Sequence, residues 1–208
     1  SHDASKVLMV LRPAGSTRPV GPDTWIADTG SSFDIVPVRE CSKDLLSEKV
    51  RLRTSVDMQP DTVLRLSTHK NIVGIKEASG NKDRSKSLMK SCSQNMKIFT
   101  GDDKTSLSDI ADGFSGNISV TANVAPLQMH LMCQSAFEGD IENASKLNSK
   151  LDILHDLLFC ESNPIPVKWC LHKMGLIKKG IRLPLTWMDE KFDRPLTEGL
   201  IKSGIVDE

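Results

Sequence analysis

The sequence predicts an α/β fold: parallel strands joined by helices, followed by a wholly helical C-terminal region. Two observations carry this. Between Pro60 and Thr121, short strand-like runs alternate with helix-like ones, the sign of parallel βαβ units. Beyond Pro126 only helical periodicity remains. From Ile141 to Phe159 the apolar residues Ala144, Leu147, Leu151, Leu154 and Leu158 recur at the three-and-four spacing of one buried helix face.

Taken in order, Pro60 to His69 reads as a helix, with Pro60 suited to a first turn and Asp61 to the positive end of the helix. Asn71 to Ala78 is a strand closed by Gly80-Asn81 turn chemistry. Lys82 to Gln94 is a second helix and Lys97 to Thr100 a second strand. Gly101-Asp102-Asp103 turns the chain into a helix from Lys104 to Ala111, and Asn117 to Thr121 is a further strand. Pro126 to Phe137 is helical and Gly139 breaks it. Asn163-Pro164 is expected to cap a helix that runs to about Met174, where Gly175 stops it. Met188 to Gly204 carries one more. No repeat or low-complexity tract is present.

The first 49 residues differ. Val7-Leu8-Met9-Val10-Leu11 is a short strand-like run, and the next dozen residues are rich in Pro and Gly. Then Thr24 to Pro37 places Asp28-Thr29-Gly30 between two apolar strands.

The chain has 208 residues with 27 basic and 27 acidic side chains, so the formal charge is zero. This gives no electrostatic basis for binding nucleic acid or an anionic membrane. No apolar run is long enough to span a bilayer, and no signal peptide is visible. The five cysteines, Cys41, Cys92, Cys133, Cys160 and Cys170, have no C-x-x-C spacing. They read as reduced, buried thiols of a soluble intracellular protein. The five histidines are scattered, with no ligand spacing on one helix face, and are expected at the surface or the core edge. Asp102 and Asp103 precede a helix, where aspartates cap free N–H groups. Capping is the expectation there, and no metal site is expected.

Lys76 is the residue whose placement suggests chemistry. Alternation on a strand puts Ile72, Gly74 and Lys76 on one face, with Gly74 leaving room beside the lysine. Burial disfavours an ammonium and favours the neutral amine, which condenses with a ketone to give a Schiff base. The plainer reading is a strand-end lysine reaching to water.

From Leu52 onward the chain resembles the dihydrodipicolinate synthase family of pyruvate-dependent class I lyases. The resemblance rests on Val73-Gly74-Ile75-Lys76-Glu77-Ala78, Gly101-Asp102-Asp103, Gly116-Asn117-Ile118-Ser119-Val120-Thr121-Ala122-Asn123, Asn163-Pro164-Ile165-Pro166-Val167-Lys168-Trp169 and Arg182-Leu183-Pro184-Leu185-Thr186. The blocks stand in the family's order. The resemblance implies the C-terminal portion of a (β/α)8 barrel, namely its last three strands, plus a C-terminal helical domain. The earlier strands have no counterpart, and residues 1–49 are not expected to replace them. The expected division is a foreign or retropepsin-like segment over 1–49 (disordered or forming short strands), a partial barrel over 50–138 and a helical domain over 139–208.

By the same resemblance, Lys76 is the Schiff-base lysine. Ile118 presents a backbone carbonyl to the pyruvate adduct, and Gly101 keeps the pocket open. Arg53 and Thr54 match an Arg-Thr pair whose arginine grips the carboxylate of the aldehyde substrate, although the residues before them depart from the family pattern. The implied reaction condenses pyruvate with aspartate semialdehyde in lysine biosynthesis. It needs no cofactor beyond the covalently bound pyruvate. A cytoplasmic (or, in a photosynthetic eukaryote, plastid) homo-oligomer is expected. The family's proton-relaying tyrosine would fall at Glu48, and this chain contains no tyrosine. The implied activity of the chain alone is therefore weak or absent.

Three rivals remain. One is another lyase of the superfamily, such as N-acetylneuraminate lyase. A second is a non-catalytic interaction remnant. The third is an aspartic protease, because Thr24 to Pro37 looks like a retropepsin active-site loop with Asp28 as its acid.

Overall fold

The computed structural model describes residues 25–28, as backbone only, and residues 58–207. Arg53, Thr54 and Glu48 lie outside the described residues, as does the rest of the segment around Asp28.

Three parallel strands form one sheet. β1 (Trp25–Asp28) and β3 (Lys97–Thr100) flank β2 (Ile72–Glu77). Helix α1 (Pro60–Ser67) precedes β2, α2 (Lys82–Cys92) links β2 to β3, and α3 (Ser106–Ala111) follows β3. Four helices complete the chain: α4 (Pro126–Phe137), α5 (Ile141–Leu157), α6 (Ile165–Lys173) and α7 (Asp193–Lys202). The alternation from Pro60 to Thr100 is as the sequence predicts, and β3 and α4 have the predicted bounds, but β1 comes from the segment not expected to supply a barrel strand and pairs parallel with β2.

Local chemistry explains the boundaries. Pro60 opens α1. The Asn81 side chain accepts from the N–H groups of Asp83 and Arg84 at 3.0 and 3.1 Å and so starts α2. Asp140 does the same for Asn143 at 3.0 Å at the start of α5. Gly139 and Gly175 end α4 and α6 with φ of 81° and 74°, a left-handed conformation that glycine adopts without a Cβ penalty. The expected cap at Asn163 is not formed. Pro164 is the N-cap residue of α6 and makes no side-chain cap bond; its carbonyl accepts the first helical bond, from Lys168 N at 2.9 Å.

The predicted strand from Asn117 to Thr121 is also corrected. Asn117 alone pairs with β3, through Thr100, and the chain then coils into a 3-10 turn over Thr121–Asn123. The cause is Asp103. Its Oδ2 accepts the backbone N–H groups of Val120 and Thr121 at 2.9 and 2.8 Å, drawing them out of an extended ladder.

Two apolar cores form. One lies between the sheet and α1 and α2, built from Val63, Ile75, Leu88, Cys92, Met96, Ile98 and Phe114. The larger one runs through α4 to α7, with Met129, Met132, Leu151, Leu154, Leu158, Leu196 and Leu200 all inaccessible to solvent. The predicted face of α5 is the one buried there, with Leu147 at its partly exposed edge. Cys92, Cys133 and Cys170 are buried free thiols, and Cys160 is half-buried and also free. Burial pushes the Cys133 and Cys170 thiols up to about 12. Among the described residues, no helix is long and apolar enough to cross a membrane.

Candidate active site around Lys76

Sheet register fixes which side chains meet. Lys76 pairs with Phe99 of β3 and Gly74 with Lys97, while Ile75 pairs with Ile98. Ile75 and Ile98 enter the core beneath α1 and α2. Alternation therefore turns Gly74, Lys76 and Phe99 to the opposite face. Lys76 is half-buried there, at the C-terminal end of its strand.

Two glycines shape this face, and Gly74 does not have the role expected of it. A Cβ on Gly74 would sit 3.1 Å from Cε2 of Phe99 and 3.0 Å from the carbonyl oxygen of Lys97. Gly74 thus seats the Phe99 ring. The glycine that makes room for the lysine is Gly101: a Cβ there would overlap Lys76 Cε and lie 2.7 Å from Ala78 Cβ and 3.0 Å from Lys76 Cγ. Gly101 N donates to Glu77 O at 2.6 Å, which holds its backbone against the lysine strand.

Ile118 follows Asn117, the bridge partner of Thr100, and its N donates to Thr100 O at 2.8 Å. Alternation places Ile118 on the same face as Lys76, where it is half-buried. Asp28 is the Cα register partner of Lys76 across β1. The structure thus gathers Lys76, Gly101 and Ile118 on one face and sets the Asp28 backbone beside the lysine. Arg53 and Thr54 lie outside the described residues.

The strand end after Lys76 is fixed from the other face. Buried Glu77 accepts from Arg84 Nε at 2.7 Å and from Ser79 N at 2.7 Å. Arg84 also donates to Met58 O. A carboxylate with two charge-assisted or backbone donors holds its position firmly.

Neither aspartate after Gly101 caps α3 as expected: its N-cap residue is Thr105, which makes no side-chain cap bond. Asp102 Oδ2 accepts from Thr105 N at 3.2 Å, next to α3. Asp103 instead reaches across to the Asn117–Thr121 segment, a partnership with no local sequence signal because its partners lie 14 to 18 residues away. Asp109 is buried and accepts from Thr100 Oγ1 at 2.8 Å and Thr105 Oγ1 at 2.7 Å. Burial raises its carboxyl above the usual range despite these donors. Among the described residues, no three His, Cys, Asp or Glu side chains gather as metal ligands would.

His155 departs from expectation. It is buried in the helical core, with Nδ1 2.8 Å from Thr121 Oγ1 and Nε2 3.4 Å from Asn148 Oδ1. Burial lowers its tendency to protonate, against the pull of Asp103 and Asp152. Its place at the end of an otherwise apolar i, i+4 series on α5 is the signal that could have revealed it.

The chain is similar to known proteins in sequence and in fold. The dihydrodipicolinate synthetase family pattern matches residues 47–202. A 4-hydroxy-tetrahydrodipicolinate synthase from Pseudomonas syringae is 52% identical over 154 residues, covering 74% of this chain and 53% of that protein. One from Thioalkalivibrio sulfidiphilus is 50% identical over 153 residues, 74% of this chain and 52% of that protein. Among solved structures, a chloride-inhibited dihydrodipicolinate synthase from Acinetobacter baumannii complexed with pyruvate superposes with a TM-score of 0.70 at 49% identity, covering 72% of this chain and 52% of that one. The Thermotoga maritima enzyme gives 0.71 at 37% identity, over 76% of this chain and 55% of that one. This chain spans about half the length of the curated relatives it matches. With the family pattern matched over residues 47–202 and relatives about half identical over 74% of its length, the chain belongs to the dihydrodipicolinate synthetase family.

Proposed function

We propose that this chain carries the imine-forming half of a dihydrodipicolinate synthase-type lyase, with Lys76 as the nucleophile. The observation that carries the reading is the fit of Lys76 against Gly101 on the strand face opposite the helix-packed core. In the reaction, the Lys76 amine adds to the ketone carbon of pyruvate and water leaves, giving an imine. Loss of a methyl proton gives the enamine, which attacks the aldehyde carbon of aspartate semialdehyde. Ile118 lines the adduct, and Arg53 with Thr54 receives the second substrate. No metal or further cofactor enters this scheme.

Full turnover also needs a proton relay, worth ~10²–10⁴ in rate. The chain has no tyrosine to serve as one. It is therefore expected to form the imine but to turn over negligibly by itself. A second reading is a non-catalytic partner to a fuller subunit, supported by the lack of any tyrosine in the sequence. An aspartic protease centred on Asp28 has no comparable support.

Self-association is part of the proposal. Leu127 and Leu131, one turn apart on α4, are exposed at 61% and 40%. The free thiols among the described residues suit a reducing compartment such as the cytoplasm.

The deciding experiment is borohydride reduction in the presence of pyruvate, read by intact mass, on the wild-type chain and on Lys76→Ala. A lysine-dependent adduct is the expected result. Its absence would remove the proposal.

A further inference from the structure

Asp103 is fully buried, and its carboxylate bonds on both flanks of Ile118. Oδ1 accepts from Asn117 Nδ2 at 3.0 Å. Oδ2 accepts the N–H groups of Val120 and Thr121 at 2.9 and 2.8 Å. Only Ile118 and Ser119 lie between these anchor points. Ile118 is held on its strand side as well, by its N–H bond to Thr100 O at 2.8 Å. Behind the turn, the Thr121 hydroxyl meets buried His155 of α5 at 2.8 Å. A buried carboxylate with three donors stiffens whatever it joins, because each bond is strong in a low-dielectric setting and costly to break.

The position of Asp103 in the chain adds to this. It follows Gly101 by two residues, so one short turn both clears space for Lys76 and grips the segment that would wall the adduct. We propose that Asp103, backed by His155, is a positioning residue that fixes the Ile118 segment against the Lys76–pyruvate adduct. This rests on the lysine-imine reading above. Asp103 itself touches no substrate; it acts through the Asn117–Thr121 backbone.

The test is the pyruvate dependence of borohydride trapping at Lys76 in the full chain. Asp103→Asn keeps the size of the side chain but replaces one acceptor oxygen with a donor, which must then face an N–H group. The pyruvate concentration for half-maximal trapping should rise about tenfold, as misplacement of a binding wall does. The plateau per folded chain should stay unchanged. A merely structural role lowers the folded fraction, and so the plateau per total chain, without moving the midpoint. Asn117→Ala removes a single bond, should give a smaller rise in the same direction, and serves if Asp103→Asn fails to fold. An unmoved midpoint in either folded variant overturns the inference alone. A wild-type chain without any Lys76-dependent adduct overturns the imine reading and this inference with it.

Discussion

Gly101 and Lys76 fit together only because Gly101 has no side chain. A Cβ at Gly101 would overlap Lys76 Cε, approach Lys76 Cγ to 3.0 Å and meet Ala78 Cβ at 2.7 Å. The lysine tip can swing away, but Ala78 Cβ is fixed to the backbone, so the clash is not relieved by a rotamer change alone. Gly101→Ala should therefore cut pyruvate trapping at Lys76 about tenfold or more and destabilise the fold by about 1–3 kcal/mol, the usual cost of overpacking. Trapping at the wild-type level, measured by intact mass after borohydride, would show that Lys76 does not depend on this gap.

Leu151 lies on α5 with no exposed surface, inside the larger core. Leu151→Ala should cost ~2–5 kcal/mol, from lost burial and the cavity left behind. A denaturation midpoint shifted by less than about 0.5 kcal/mol would contradict its central place in that core.

The buried His155 links stability to pH. In the fold its imidazole is held neutral by burial, below the ordinary value of 6.5. The unfolded chain protonates at that ordinary value, so below about pH 6.5 the unfolded state binds more protons and stability falls. The loss grows as pH drops toward the lowered folded value, and none occurs above the window. Asp109 has the opposite sign: its carboxyl is raised by burial, so its penalty is relieved as pH falls through that raised value. His155→Gln should remove a decline on the order of 1 kcal/mol between about pH 7.5 and about pH 5.5, read from urea midpoints. An equal decline in both proteins would assign the pH dependence elsewhere.

The sequence by itself determined the strand–helix alternation from Pro60 to Thr100, the bounds of β3 and α4 and the buried stripe of α5. Each depends on short-range rules. Alternation puts Ile75 and Lys76 on opposite faces, three-and-four spacing buries Leu151 and Leu154, and glycine ends α4 and α6. What only the tertiary structure decided lies in contacts between distant residues. Gly74, expected to leave room beside Lys76, instead seats the Phe99 ring, because lateral neighbours in a sheet are set by register and not by spacing along one strand. Asp103 turned Val120 and Thr121 out of the predicted strand, and His155 found Thr121 34 residues away. The pairing of β1 with β2, which sets Asp28 beside Lys76, is likewise a choice of sheet edge. A strand's pattern shows which face it buries, but its partner is selected only when the whole sheet assembles and backbone groups compete for the available edges.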